Sequence, residues 1–474
     1  MCRSPGTPGR RETNTTMEQT KKPNALNGIT EGVIWKQLLL FAVPILMSNL
    51  FQQLYTTMDS VIVGQFVGSQ ALAAVGSTGS LCGLLVGFFV GLSTGAGVIV
   101  SQYYGAEDWD GLHNAVHTAM GISVVAGVIL TVVGLVLSPT LLRWINTPDD
   151  VFDMAVVYLR IYFGGILSLT IYNMGAGILR AIGDSRRPLN YLIISAVINV
   201  ALNLLFVCVF HMGVAGVAWA TLIAQVVTAV LVMINLMSTT EGYKVILSHI
   251  TIHRDTFLKI LKIGIPAGFQ SVVVSLSNTV IQAQINFFGS DVMAGLSAAG
   301  RIDGFIYMPI NAFGLAMTTF VGQNVGAGRL DRVRKGVKVC LAMALGIVIA
   351  EGALIYVFTE PLLSLISQET AVLQYGGMMV HLMASTYWIF VMAEVLSGVI
   401  RGSGEAMVPM VIYICGMCLF RLVWVLVVMK VFETIQSVVW CYPASWSLTA
   451  LAFIIYYFKG NWLSRHHREI APQK

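Results

Sequence analysis

Four polar side chains stand in long, mainly apolar stretches of the chain. Asp59 lies in the run from Gln37 to Gln65, which contains no Lys or Arg. Burying a carboxylate without a cation is costly, so an acid in such a run is a functional candidate. Asn199 and Asn203 are four residues apart and therefore share one face of a helix. Thr221 lies in the next apolar run. Measured from the ends of the helices these runs predict, Asp59, Asn203 and Thr221 lie at a common depth of about 10 Å, with Asn199 one turn deeper. A carboxylate, two amides and a hydroxyl at one depth make an oxygen-rich site for a proton or a sodium ion. The plainer alternative is a hydrogen-bond network that ties three helices together. Glu351 and Glu394 are two further acids within apolar runs, and each is expected to pair with Arg421 or to line a wet crevice.

Other chemistries find no support. No GxxxxGK[ST] phosphate loop and no HExxH occurs. No His/Cys set has metal-ligand spacing. His113 and His117 are four apart, at a helix start expected to face solvent. The seven cysteines are scattered, and Cys415 and Cys418 form a CxxC inside an apolar run, where two small side chains on one helix explain it better than redox chemistry. The expectation is a protein that is not an enzyme and has neither cofactor nor metal.

The elements that must position these residues are membrane helices. Hydrophobic residues make up 56% of the 474 and charged residues 11%, against about 25% charged in soluble domains. One helical crossing needs about 20 mainly apolar residues. Apolar runs predict twelve helices: 36–64, 74–101, 113–137, 151–177, 188–210 and 214–237, then 258–286, 300–322, 337–358, 375–399, 408–430 and 436–458. With the N-terminus cytosolic, 23 of the 28 Lys and Arg residues fall on the inner side. Arg143, Arg301 and Lys430 fall outside, and Arg160 and Arg421 lie within helices. That bias orients the chain with both termini inside. The net charge of +5 is spread between apolar runs and does not indicate nucleic acid. No apolar segment of signal-peptide type opens the chain, and residues 1–35 and 460–474 are expected to be cytosolic tails.

The two halves repeat at an offset of 221. GAGILRAIGDSRRP (175–188) lies over LSGVIRGSGEAMVP (396–409), pairing Arg180 with Arg401 and Gly183 with Gly404. SQYYGA (101–106) lies over GQNVGA (322–327), pairing Gln102 with Gln323, and Pro44 pairs with Pro266 after a one-residue slip. Several matches at one spacing indicate tandem units. Six helices per unit insert in the same orientation, a known transporter design. The units are 36–237 and 258–459, joined by a cytosolic linker at 238–257. Glycines at 79, 83, 87, 91 and 95 form one stripe, expected to serve close helix packing.

These segments, with FAVPILMSNLFQQLYTTMDSVIVG (41–64), INVALNLLFV (198–207), GVAWATLIAQ (216–225) and GVIRGSGE (398–405), resemble the multidrug and toxic compound extrusion (MATE) family, and its DinF-like branch in particular. The resemblance implies an all-α membrane protein of twelve helices in two pseudo-symmetric six-helix lobes arranged as a V. It implies export of cationic or amphiphilic organic compounds in exchange for H⁺ or Na⁺, from a bacterial inner membrane, by a monomer. Asp59 matches the family's coupling acid, and Asn199, Asn203 and Thr221 match the residues around it. Pro44 matches the proline where helix 1 bends. Glu394, Gln52 and Tyr55 stand as candidates to line the solute's path. The chain departs from the branch's N-x-x-x-D pattern in helix 5, having Asn203 where the second carboxylate would be. It also lacks the helix 7 acid of another branch, so coupling is expected to rest on the N-terminal lobe. A lipid-linked saccharide flippase of the same superfamily is the main alternative, with a membrane-embedded enzyme and a channel or receptor behind it.

Overall fold

A computed structural model describes residues 29–463, and these are helical with no strand among them. Eleven continuous helices are long and apolar enough to cross a membrane, and a bent pair makes a twelfth span. In chain order, helices 1–6 are Ile34–Val67, Ser69–Gly105, Trp109–Trp144, the pair Asp149–Gly164 with Ile166–Ala181 bent by 47° at Gly165, Arg186–Val209 and Gly213–Ser238. Helices 7–12 are Arg254–Phe287, Ser290–Gly326, Leu330–Val357, Thr370–Gly402, Met407–Val431 and Ile435–Lys459. Each expected run has its helix. The largest difference is in helix 8, which begins at Ser290 rather than the expected 300; helix 3 runs on to Trp144, helix 9 begins at Leu330, and helix 2 begins at Ser69 rather than 74. A short helix, Thr359–Ser364, was not expected from hydropathy.

Three spans contain a turn of π-helix: Val63–Val67 in helix 1, Leu204–Val209 in helix 5 and Ile414–Leu419 in helix 11. Such wide turns rotate the side chains around them and collect at functional sites. Helix 1 runs as α-helix through Pro44, and the Pro44 carbonyl accepts a hydrogen bond from Ser48 Oγ at 2.8 Å.

The two halves touch at one end and part at the other, and glycines record where. A Cβ at Gly91 would stand 2.2 Å from the Gly268 nitrogen. A Cβ at Gly105 would stand 2.0 Å from the Gln323 carbonyl oxygen, and one at Gly326 would stand 2.0 Å from that of Gln102. Only glycine lets these backbones approach so closely. Gly79, Gly83, Gly300 and Gly304 lie on the same two helices, yet a Cβ there would meet nothing within 4 Å. Helices 2 and 8 are thus the crossing point of the V. The expected packing stripe seats helix 2 on Gly268 and Gly264 of helix 7 at 91 and 95 and opens into space at 79 and 83.

Hydrogen bonds secure the closed end. Gln102 Nε2 donates to the Gly402 carbonyl at 3.2 Å, and Gln323 Nε2 donates to the Ala181 carbonyl at 2.7 Å. Each glutamine reaches the end of a helix in the opposite half. Those ends finish alike, with Gly183 at φ +97° and Gly404 at φ +101°, a backbone shape that glycine adopts without strain.

Most of the tails expected at 1–35 and 460–474 fall outside the described residues. Residues 29–32 are held in place, however: Ile29 N donates to Gln323 Oε1 at 3.1 Å, and Arg332 donates to the Gly32 carbonyl at 2.9 Å. The segment between the halves folds back on helix 3. His117 Nε2 accepts from Ile246 N at 3.0 Å, leaving Nδ1 to donate to the His113 carbonyl at 2.8 Å. His117 is fully buried rather than solvated, because this segment covers the helix start.

Candidate functional site

Asp59, on helix 1, sits one turn before that helix's π segment. Asn203, on helix 5, immediately precedes the π segment of its own helix. The two side chains meet: Asn203 Nδ2 donates to Asp59 Oδ1 at 2.5 Å and to Asn199 Oδ1 at 3.1 Å. Asn199 Nδ2 continues to Thr221 Oγ1 on helix 6, at 3.4 Å. The four residues singled out in the sequence therefore form one chain across helices 1, 5 and 6. Asn199, Asn203 and Thr221 are buried and Asp59 is half-buried. Asn203 Oδ1 is buried and accepts no hydrogen bond among the described residues. Leaving a buried acceptor bare is unfavourable, so this oxygen is available to a donor or a cation.

The chain has a chemical property that its members lack singly. With Asp59 ionised, Asn203 donates both to the carboxylate and to Asn199, and Asn199 donates onward to Thr221. With Asp59 protonated, its O–H becomes a donor, and both amides can turn over, since an amide offers N–H on one side and C=O on the other. Asn203 then accepts from Asp59, Asn199 donates to Asn203, and Thr221 O–H donates to Asn199. The network can register the state of Asp59 as a reversal of direction along helices 5 and 6.

Beside this chain lies a cavity of about 190 Å3, lined by Gln52, Tyr55, Asn173 and Arg180. Tyr55 is one helical turn from Asp59. A larger cavity of about 760 Å3 lies in the C-terminal half. Asn311, Leu315, Val90 and Thr94 line both, so the two adjoin where helices 2 and 8 cross.

The C-terminal cavity holds charge that sequence reasoning only partly found. Glu394 lines it and accepts a hydrogen bond from Tyr413 at 2.5 Å. The expected pairing of Glu394 or Glu351 with Arg421 does not occur; the described ion pairs are Arg187–Asp184 and Arg329–Glu31. Glu351 Oε2 is buried without a hydrogen bond among the described residues. Asp303, which accepts from the Tyr387 hydroxyl, was missed altogether. Hydropathy started helix 8 near 300 and left Asp303 at a helix mouth, whereas the helix starts at Ser290. The repeat held the missing signal: Gly68 precedes helix 2 and Gly289 precedes helix 8, 221 residues apart, both at positive φ. Arg401 also lines this cavity and donates to Ser397 Oγ at 2.8 Å.

The family model of MatE matches residues 44–205 and matches again at 266–427, one copy in each half. The chain belongs to the MATE family of multidrug efflux transporters. Relatives match along most of the chain's length. The chain is 29% identical over 458 residues to "Probable multidrug resistance protein YoeA" of Bacillus subtilis, covering 93% of this chain and 97% of that protein. It is 30% identical over 393 residues to "Probable multidrug resistance protein YpnP" of the same organism, covering 83% and 88%. Its fold is that of a solved structure described as an outward-facing conformation of a multidrug resistance MATE family transporter, with a TM-score of 0.84 at 21% identity, covering 93% of this chain and 98% of that one. That likeness establishes the MATE architecture.

Proposed function

We propose that the chain is a secondary antiporter that exports cationic or amphiphilic organic compounds in exchange for H⁺ or Na⁺, with Asp59 as the coupling acid. The observation that carries this reading is the buried chain Asp59–Asn203–Asn199–Thr221. It sets one titratable carboxylate against neutral hydrogen-bond partners, so no cation within the chain competes with an arriving one.

Residues 36–237 and 258–459 act as the two lobes, joined by the linker at 238–257. The Lys/Arg bias supports a cytosolic position for both termini and for the end clasped by Gln102 and Gln323. The membrane is the bacterial plasma membrane, and the transporter works as a monomer. In this form, closed toward the cytosol, Asp59 takes up H⁺ or Na⁺ from outside. The amide chain turns over, and helix 1, weakened where Pro44 offers no N–H, shifts against helices 5 and 6. Gln52 and Tyr55 move with it, and a bound organic cation beside them is released outward. With the clasp opened, Asp59 gives up its ion to the cytosol and the cavity takes the next solute.

The test is uptake of a fluorescent organic cation into proteoliposomes under an imposed pH gradient and, separately, a Na⁺ gradient. Wild type should concentrate the dye under one of them and Asp59→Asn under neither. Transport by Asp59→Asn at the wild-type rate would end the assignment.

A further inference from the structure

The C-terminal cavity contains both signs of charge and no ion pair. Arg421 is 3% exposed. Its guanidinium donates to Asn278 Oδ1 at 2.7 Å and to Ser445 Oγ at 3.1 Å, makes a weak contact with Met417 Sδ at 3.7 Å and lies 4.8 Å from the centre of the Tyr442 ring. All its partners are neutral. A guanidinium carries five N–H groups, so two remain for a ligand. Asp303 accepts from Tyr387 and likewise has no cationic partner among the described residues. A buried charge without a counter-charge is unfavourable, yet Asp303 and Arg421 line one cavity, with Glu394 and Arg401, and none of the four is in a described ion pair.

Aromatic rings fill the space between them. Tyr307, one turn from Asp303, stacks on Phe390 with ring centres 5.9 Å apart. Phe390 meets Trp446 at 5.5 Å, and Trp446 meets Tyr442 at 6.2 Å. Tyr442 carries Arg421. The order is therefore acid, aromatic wall, guanidinium. Each charged group is held by neutral hydrogen-bond partners that fix its position without neutralising it.

We propose that this cavity is an amphoteric binding site, which takes an aromatic solute bearing an amine or iminium cation at one end and a carboxylate at the other. The cation lies against Asp303, and the flat body lies along Phe390 and Trp446, which suit polarisable rings. The carboxylate meets the free edge of Arg421, whose planar donors match its two oxygens. The site rests on the chain being an exporter of organic solutes but does not depend on Asp59, so binding can be read without any ion gradient.

The experiment measures fluorescence anisotropy of rhodamine B, a zwitterion at neutral pH, and of its ethyl ester, a cation with the same ring system, on the purified full-length protein in detergent. Wild type should bind rhodamine B roughly tenfold more tightly than the ester, as expected for a charge-assisted contact out of water. Arg421→Gln should weaken rhodamine B by about that factor and leave the ester within about twofold, while Arg421→Lys retains part of the preference. Asp303→Asn should weaken both dyes. If wild type binds the two alike, or if Arg421→Gln weakens both equally, Arg421 is only a tie between helices 7, 11 and 12 and the proposal is wrong. If wild type binds neither dye, the exporter reading itself loses its support along with the site.

Discussion

The two halves share a frame and differ in chemistry. At the offset that pairs Pro44 with Pro266, Asp59 of the N-terminal half falls on Ile281. At the offset that pairs Gly79 with Gly300, Asp303 of the C-terminal half falls on Cys82. Glu394 falls on Asn173 in the same way. The closed end has no such asymmetry in its frame: Gly105 answers Gly326, and the Gln102 bond to Gly402 answers the Gln323 bond to Ala181. The frame is fixed by backbone approach, which tolerates nothing larger than hydrogen. The cavities are fixed by side chains, which can diverge without moving a helix. One half was thus free to hold a lone acid among amides, and the other to hold opposed charges along an aromatic wall.

The sharpest way to break this division is to remove one acid from each half. Asp59→Asn should reduce gradient-driven uptake in proteoliposomes to that of empty vesicles. Asp303→Asn should keep the gradient dependence and raise the solute concentration needed. Equal loss from both would mean that the halves share the coupling task. The next largest effect falls on the frame. Gly105→Ala and Gly326→Ala each place a methyl 2.0 Å from a carbonyl oxygen and should each cost about 1–3 kcal/mol, the usual range for overpacking, seen as a lowered Tm. Gly79→Ala and Gly300→Ala, which meet open space, should leave Tm unchanged.

A smaller difference separates the two glutamines. Gln323 holds both Ala181 and Ile29, whereas among the described residues Gln102 holds Gly402 alone. At about 0.5–1.5 kcal/mol per hydrogen bond, Gln323→Ala should loosen the closed end more than Gln102→Ala does. Labelling of a cysteine introduced at Ser185, which is buried there, would report the order. The least effect is expected from Glu351→Gln: it lines neither cavity, and uptake should stay within about twofold of wild type.

Much of this was legible in the sequence because membrane helices announce themselves by long apolar runs. Asp59, Asn199, Asn203 and Thr221 were found through the same runs: Asp59 is an acid in a run without Lys or Arg, and the other three share its depth to within one helical turn. Asp303 escaped because Ser290–Gly300 is built of small residues and a hydropathy window passes over it, although the repeat marked the helix start. The tyrosines on the acids were not readable, since Tyr387 and Asp303 are 84 residues apart and only the packing of helix 10 on helix 8 joins them. His117 was misjudged because hydropathy cannot show a linker folding back over a helix start. Cys415 and Cys418 lie in the π turn of helix 11, before Arg421, a backbone feature that their spacing did not reveal.

The reciprocal contacts at the closed end have a further meaning. Gly105 against the Gln323 carbonyl and Gly326 against the Gln102 carbonyl are two copies of one interaction, each surface giving what the other accepts. In separate subunits this would be an isologous interface, the kind that closes a two-fold dimer. The molecule is in that sense a homodimer made covalent. Its clasp has the symmetry of a two-fold pair, and the link between the halves lets each carry an interior of its own.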